Sequence, residues 1–395
     1  MKTDEVTRHS NFSEITTACF HPADNALFQE KTAEEAVMGQ AVVVLMAFFM
    51  TLGALDKALF NNRFGYGAEF EKGLGAMGSL TTVMVGIMCA APALGPVVAP
   101  ILTPLFRSIG SDPAMAAGML LGVDSGGFPL ARELTSDQAA VVLSGVGLGG
   151  TLGAVLTFAL PLSLSLANEA SRPYVAKGLV AAVTASPLSL LPVGWMTGVS
   201  FKAILLLGMP AFVLAAVLAV LLTLFRDPTV RAFLIFSRVL MGLFVLLLAT
   251  AALQHYFPIV LIPGMDPIEP QLTIIGEIGL MLSGAFPLVL FIRRHLSSTV
   301  RSLARMLKTD EDAALGMVVS LANPLPMYVM ANRMTNRGKV LCAAFSGPIL
   351  TLLGDHLGYV TAVCPEAVMP LLVGKITAAV GALLLALLLE KRMPS

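Results

Sequence analysis

Two polar interruptions stand out in the sequence because each breaks a segment that is otherwise apolar. The first, GVDSGGFP, brings together Asp124, Ser125, Gly126 and Phe128. An ionisable side chain at bilayer depth costs at least about 2.5–3.5 kcal/mol, which makes such a residue a candidate for function. A carboxylate beside a hydroxyl, near carbonyls freed by helix breakers, favours a small cation that also forms hydrogen bonds.

The second interruption, ANPLP, contains Asn323, and a third polar stretch, GDHLGY, lies within a predicted span. Asn323 and Ser125 are expected to serve a substrate hydroxyl. Phe128 or Tyr328 is expected to offer a cation–π face. In GDHLGY, Asp355 and Tyr359 are four residues apart and share one helical face.

Asp355 is interpreted as a second cation ligand or a proton acceptor, and His356 as a pH-sensitive group. Glu277, inside another predicted span, is either a proton relay or a hydrogen-bond partner of a neighbouring helix. The alternatives for the other groups are structural. Asp124 and Asn323 could each cap a half-helix, and Asp355 with His356 could form a solvated turn.

The chemistry of these sites points away from catalysis and from anions. No arginine or lysine lies near either break in the sequence, so anionic ligands fit badly. The sequence contains no nucleophile–base pair and no metal-ligand cluster. We therefore expect a protein that is not an enzyme and that needs no cofactor and no metal.

The elements that hold these residues are membrane helices. The 395-residue chain is 56% hydrophobic and 13% charged, with mean hydropathy +0.83, and apolar runs long enough to cross a bilayer recur. The zero net charge provides no basic field for nucleic acid. The sequence thus predicts an all-α polytopic membrane protein whose partners are the lipid bilayer and a small molecule, and it leaves a homo-oligomer open. Residues 1–35 form a polar N-terminal extension.

The hydropathy pattern predicts nine full crossings and two broken segments, which gives nine to eleven membrane segments. The crossings are 36–57, 72–93, 137–162, 172–196, 201–225, 232–256, 271–292, 340–361 and 366–389. The broken segments, 112–134 and 310–332, carry helix breakers at their centres and are expected to be re-entrant hairpins or discontinuous helices. Basic residues at the start of the span 232–256 (Arg226, Arg231 and Arg238), after 292, after 332 and at the C-terminus share one side if 310–332 is a hairpin. That side, with the C-terminus, is predicted to be cytoplasmic.

The chain also contains a weak internal repeat. A shift of 198 residues aligns Asp112 with Asp310, Gly149 with Gly347, and the two broken segments with each other. Five crossings separate the starts of the two units, so the repeats, 36–230 and 231–395, are expected to have opposite orientations. Inverted repeats with broken helices near the midplane are typical of secondary transporters.

Four motifs in order, GVDSGGFPLAREL, LIPGMDPI, SLANPLPMY and GDHLGY, resemble those of the ethanolamine utilisation transporter family, the EutH type of bacterial permease. The resemblance runs from about residue 40 to the C-terminus. It implies a multi-pass carrier of the bacterial inner membrane that imports ethanolamine for its catabolism by alternating access. The alternatives are a carrier of another small amine, such as choline, and a membrane sensor or scaffold.

Overall fold

The computed structural model describes residues 26–295 and 297–391, and the regular secondary structure within them is helical, without strands. The described residues include eight helices long and apolar enough to cross a membrane. The protein is therefore an all-α, multi-pass membrane protein, as the sequence predicts. Residues 1–25 of the extension predicted at 1–35 lie outside the described part of the chain. From Ala26 the backbone is continuous with the first helix.

The helices follow one another with short connections. In chain order they are α1 Ala26–Phe60, α2 Tyr66–Gly75, α3 Met77–Ser108, α4 Met115–Leu120, α5 Phe128–Leu134, α6 Gln138–Leu166, α7 Arg172–Met196, α8 Phe201–Leu224, α9 Arg226–Tyr256, α10 Ile268–His295, α11 Ser297–Leu307, α12 Glu311–Ser320, α13 Leu325–Met330, α14 Asn336–Ile349, α15 Asp355–Val363 and α16 Val368–Lys391. The eight spans are α1, the continuous pair α2–α3, α6 to α10, and α16 with the short turn Pro365–Ala367 before it.

The two broken segments return to where they began. In the first, the Asp112 carboxylate accepts a hydrogen bond of 2.9 Å from the Thr135 hydroxyl. In the second, the Asp310 carboxylate accepts bonds from the Thr335 hydroxyl (2.5 Å) and backbone N–H (3.0 Å). Because each aspartate begins its segment and each threonine follows its end, α4–α5 and α12–α13 are both hairpins.

The span predicted over 340–361 is wrong as a continuous helix. The chain unwinds between Ile349 and Asp355, with Thr351 at φ 52°, and so divides into α14 and α15. The apolar composition of this segment resembles that of a span, but Pro348 and Gly354 stand beside the break and weaken helical continuity. A third discontinuous element therefore lies next to the two hairpins.

Equivalent contacts recur at the 198-residue shift. The Ser144 hydroxyl donates to the Ala114 carbonyl (2.5 Å), and the thiol of Cys342, 198 positions later, donates to the Ala313 carbonyl (3.5 Å), one residue beyond the position equivalent to Ala114. Helix packing is reciprocal as well, since α1 packs along α10 while α9 packs along α3. Both observations support the proposal of a two-unit architecture.

Helix α6 runs through the centre of the molecule and is buried along almost all of its length. Its segments Val142–Gly153 and Val155–Ala159 are wound as π-helix, an arrangement that is frequent at functional sites. Five glycines in the first of these segments leave room for neighbouring backbones. This helix consequently supports the first hairpin from one side and the C-terminal helix α16 from the other.

Candidate functional site

A cavity of about 570 Å³ enters the protein between the two hairpin tips. It reaches from Asp124, only 7% exposed, to Arg238 at the protein surface. Its walls are largely apolar, from α3, α6, α9 and α10. The polar residues at the hairpin tips and at the central helices include Asp124, Ser125, Thr157, Asn323, Thr351, Asp355 and His356, and Ser79, Ser165, Ser237 and Arg238 line the rest of the cavity.

The first hairpin holds Asp124 in a turn between α4 and α5. Gly126 adopts φ 111°, a conformation that favours glycine, and so reverses the chain at this point. The N–H groups of Gly127 and Phe128 bond to backbone carbonyls, those of Gly122 and Val123. Asp124 therefore does not cap α5, and its carboxylate is available to the cavity.

Gly122 permits the polar groups of this turn to crowd together. A Cβ atom on Gly122 would lie 2.6 Å from the Ser125 hydroxyl and 3.3 Å from the Asp124 Oδ1 atom. It would also lie 3.6 Å from the Thr157 hydroxyl of α6. Absence of a side chain at Gly122 thus brings one carboxylate and two hydroxyls to the same point.

The second hairpin is bound to the unwound segment that separates α14 from α15. The Thr351 N–H donates to the Ser320 carbonyl (3.2 Å), and the Leu353 N–H donates to the Leu321 carbonyl (2.7 Å). We expected carbonyls freed at the hairpin breaks to face a ligand. Here the protein itself uses these two, because the unwound segment supplies the matching N–H groups.

Asp355 and His356 begin α15 and face Asp124 across the inner end of the cavity. The His356 Nε2 atom lies 3.8 Å from the Asp124 Oδ1 atom. Ligand atoms of Asp124, Asp355 and His356 all lie within 4.8 Å of one another. His356 is only 4% exposed, so the interpretation of Asp355–His356 as a solvated turn does not fit its position.

Lys375 of α16 completes the cluster, although sequence reasoning did not select it. Its ammonium group contacts the His356 Nδ1 atom at 2.9 Å and donates to the Gly150 carbonyl in the π-helical part of α6. The side chain is 1% exposed. No lysine lies near either break along the sequence, but the packing of α16 against α6 and α15 brings Lys375 close to the first break in the folded protein.

The cluster also bears on metal binding. Asp124, Asp355 and His356 together offer three ligand atoms. A divalent ion there would lie beside the Lys375 ammonium group, which already contacts His356. Repulsion between these positive charges in a buried site makes a singly charged ligand the better match.

The remaining predicted residues lie in different surroundings. Asn323 lines the cavity, and its Oδ1 atom also caps α13 by accepting from the Leu325 N–H (2.9 Å). Phe128 and Tyr359 pack edge to face, with ring centroids 6.2 Å apart, in the core behind the cavity. Tyr328 is buried in the core as well, and Glu277 is half-buried on α10 outside the cavity lining. Neither aromatic residue proposed for a cation–π contact therefore faces the cavity.

The residues that sequence reasoning missed include Lys375, Thr157, Thr351 and Arg238. Lys375 carried a usable signal, since it is an ionisable residue inside the predicted span 366–389. Thr351 carried none, because a threonine in an apolar helix commonly bonds its own backbone. Arg238 was recognised only as a marker of membrane orientation.

Comparison with known proteins gives the family directly. A family model described as "Ethanolamine utilisation protein, EutH" matches residues 38–389, which is most of the chain. The chain belongs to the EutH family. No solved structure matches it.

Several EutH relatives are similar over nearly their whole length. A protein of Listeria monocytogenes named "Probable ethanolamine permease EutH" is 35% identical over 356 residues, 90% of this chain and 95% of its own length. A protein of the same name from Escherichia coli is 34% identical, covering 89% of this chain and 95% of that protein. An uncharacterised Bacillus subtilis protein, YxeR, is 34% identical, covering 87% of this chain and 93% of that protein. The Listeria and Escherichia relatives are thus named as probable permeases, that is, as transport proteins.

Proposed function

We propose that this protein imports ethanolamine, in its protonated form, across the bacterial inner membrane by alternating access. The observation that carries the proposal is a close pair of carboxylates, the buried Asp124 and the half-buried Asp355, at the inner end of a cavity in a EutH-family membrane protein. The names of the relatives support ethanolamine as the substrate.

The chemistry of the inner cavity suits an amino alcohol. A primary ammonium group has three N–H donors and a positive charge, and two carboxylates accept both. The substrate hydroxyl, two carbons away, can reach the hydroxyls of Ser125 and Thr351 or the amide of Asn323, all of which line the cavity. The apolar walls further out contact the short carbon chain.

The cavity's direction fits an inward-facing carrier. Its lining includes the exposed Arg238, one of the basic residues that the positive-inside rule assigns to the cytoplasm. The same rule assigns the C-terminus to that side. Release of substrate into the cytoplasm would then occur from the conformation described, and rearrangement of the units 36–230 and 231–395 would expose the site to the outside.

Uptake of labelled ethanolamine tests the proposal. We expect cells that express the protein to take up ethanolamine at acidic pH, where little neutral amine crosses the lipid unaided, and vector-only cells not to do so. Unlabelled ethanolamine should compete better than unlabelled choline, because a quaternary ammonium group has no N–H donor for Asp124 and Asp355. Stronger competition by choline would assign the site to another amine, and an absence of uptake would refute the proposal.

A further inference from the structure

The inner end of the cavity contains an unequal number of charges. Asp124 and Asp355 contribute two carboxylates, and Lys375 contributes one ammonium group. The Lys375 Nζ atom and the His356 Nδ1 atom, 2.9 Å apart, share one hydrogen bond. With Lys375 as the ammonium donor and His356 as the neutral acceptor, the Lys375–His356 pair carries a single positive charge. One negative charge on the carboxylates is left without a partner.

That unpaired charge matters when the site closes. An alternating carrier passes through a state in which the site is shut off from water on both sides, and an uncompensated charge buried there is strongly unfavourable. In the loaded carrier, the substrate ammonium neutralises it. In the empty carrier, the smallest species able to do so is a proton on one of the carboxylates.

We propose that the Asp124–Asp355 pair is an exchange site that holds either one proton or the substrate ammonium, so that the carrier exchanges protonated ethanolamine for a proton. This inference rests on the proposed transport of ethanolamine. No covalent bond to the substrate forms. As the ammonium group enters, the carboxylic acid O–H bond breaks, its proton leaves through the cavity to water, and the new carboxylate pairs with the ammonium group.

The groups that face Asp124 come from each neighbouring element. Asp355 and His356 belong to α15, and Lys375 to α16. Ser125 belongs to the same turn as Asp124, and Thr157 to α6. Helix α3 presents the apolar Ile87 side chain next to Gly126. Asp124 and Asp355 are thus the acidic groups of this surface, and repulsion between two close carboxylates favours a proton on one of them.

Proton release on binding tests the exchange directly. Ethanolamine is added to the purified full-length protein in weakly buffered detergent solution, below pH 7, where the amine is fully protonated. In the pH range where protons compete with ethanolamine for the carboxylates, we expect up to about one proton to be released for each ethanolamine bound. The affinity should fall by about tenfold for each further unit by which the pH is lowered. Binding without proton release, at an affinity independent of pH, would overturn the exchange.

Transport in vesicles separates this inference from the proposed function. Exchange of one cation for another moves no net charge, so an inside-negative potential should leave accumulation of labelled ethanolamine unchanged, and an acidic interior should raise it. A carrier of the ammonium ion alone would accumulate it about 50-fold at 100 mV. The latter result overturns the exchange and leaves ethanolamine transport standing, whereas no transport by the wild type overturns the proposed function.

A charge-restoring double variant tests the role of Lys375. Asp124→Asn leaves one carboxylate, which Lys375 already neutralises, so ethanolamine binding should fall by about 100-fold. Adding Lys375→Met frees Asp355 as an unpaired carboxylate, and binding should recover by about tenfold or more over Asp124→Asn alone. A purely structural role for Lys375 predicts further loss in the double variant. Recovery supports the charge count, and its absence in a protein that retains the wild-type size-exclusion profile overturns it.

Discussion

Replacement of Asp124 by asparagine tests the candidate site most directly. The substitution keeps the shape of the side chain and removes its charge. Asp124 is 7% exposed, and its Oδ1 atom faces His356 at 3.8 Å and shares its surroundings with Asp355. A substrate ammonium bound here therefore loses one of two carboxylates in a site with little access to water.

The size of the effect follows from the charges. Two unit charges about 4 Å apart interact with roughly 4 kcal/mol at an effective dielectric constant of about 20. The asparagine oxygen still accepts a hydrogen bond, which recovers about 1 kcal/mol. The net loss of about 3 kcal/mol corresponds to an affinity that is weaker by about 100-fold. Ser125→Ala removes one neutral hydrogen bond, which should weaken binding about fivefold.

Calorimetric titration of the purified protein with ethanolamine, together with uptake in cells at acidic pH, measures both effects. Asp137→Asn is a matched control. Asp137 caps α6 by accepting from the Ala139 N–H (2.9 Å) outside the cavity, and asparagine caps helices equally well. Control affinity should equal that of the wild type. An Asp124→Asn affinity within about threefold of wild type would show that the substrate ammonium binds elsewhere.

Three further predictions concern the fold and the direction of the cavity. Gly126→Ala should lower the melting temperature, since φ 111° costs a residue with a Cβ at least about 1–2 kcal/mol, whereas Gly78→Ala, where a Cβ would meet nothing within 4 Å, should not. Burial raises the pKa of Asp310, but hydrogen bonds from Thr335 and from the Ala313 N–H at the start of α12 outweigh this effect and hold that pKa below its ordinary value. The stability that Asp310 contributes is thus present above its unfolded-state pKa and is lost as the pH falls through its folded-state pKa. In Asp310→Asn the melting temperature should therefore depend less on pH below about pH 4, and the affinity for ethanolamine should be unchanged. Ser237→Cys, in a background with Cys19 replaced by serine, should react with a membrane-impermeant thiol reagent in inside-out vesicles but not in right-side-out cells, because Ser237 lines the cavity and the other three cysteines are buried; the reverse pattern would place the cavity mouth outside.

Much of the fold could be predicted because the bilayer constrains sequences strongly. Long apolar runs identify membrane helices, since their backbone groups must pair within the segment. The breakers at Gly126 and Pro324 marked both hairpins, because glycine and proline interrupt helices in predictable ways. The 340–361 segment was missed as a break because the N–H groups of Thr351 and Leu353 are satisfied by carbonyls of the second hairpin, a tertiary pairing that hydropathy does not reveal.

For the candidate site, too, some features could be predicted from the sequence and others only from the tertiary structure. By itself the sequence determined that Asp124, Asp355 and His356 are exceptional, because charge at bilayer depth is costly wherever it occurs. Only the tertiary structure decided that these three meet, and that Lys375 stands behind His356. It also turned Phe128 into the core, away from the cavity. The cost of burying a charge depends on residue type and can be read locally, whereas its partner is chosen by helix packing between segments more than 200 residues apart in the chain.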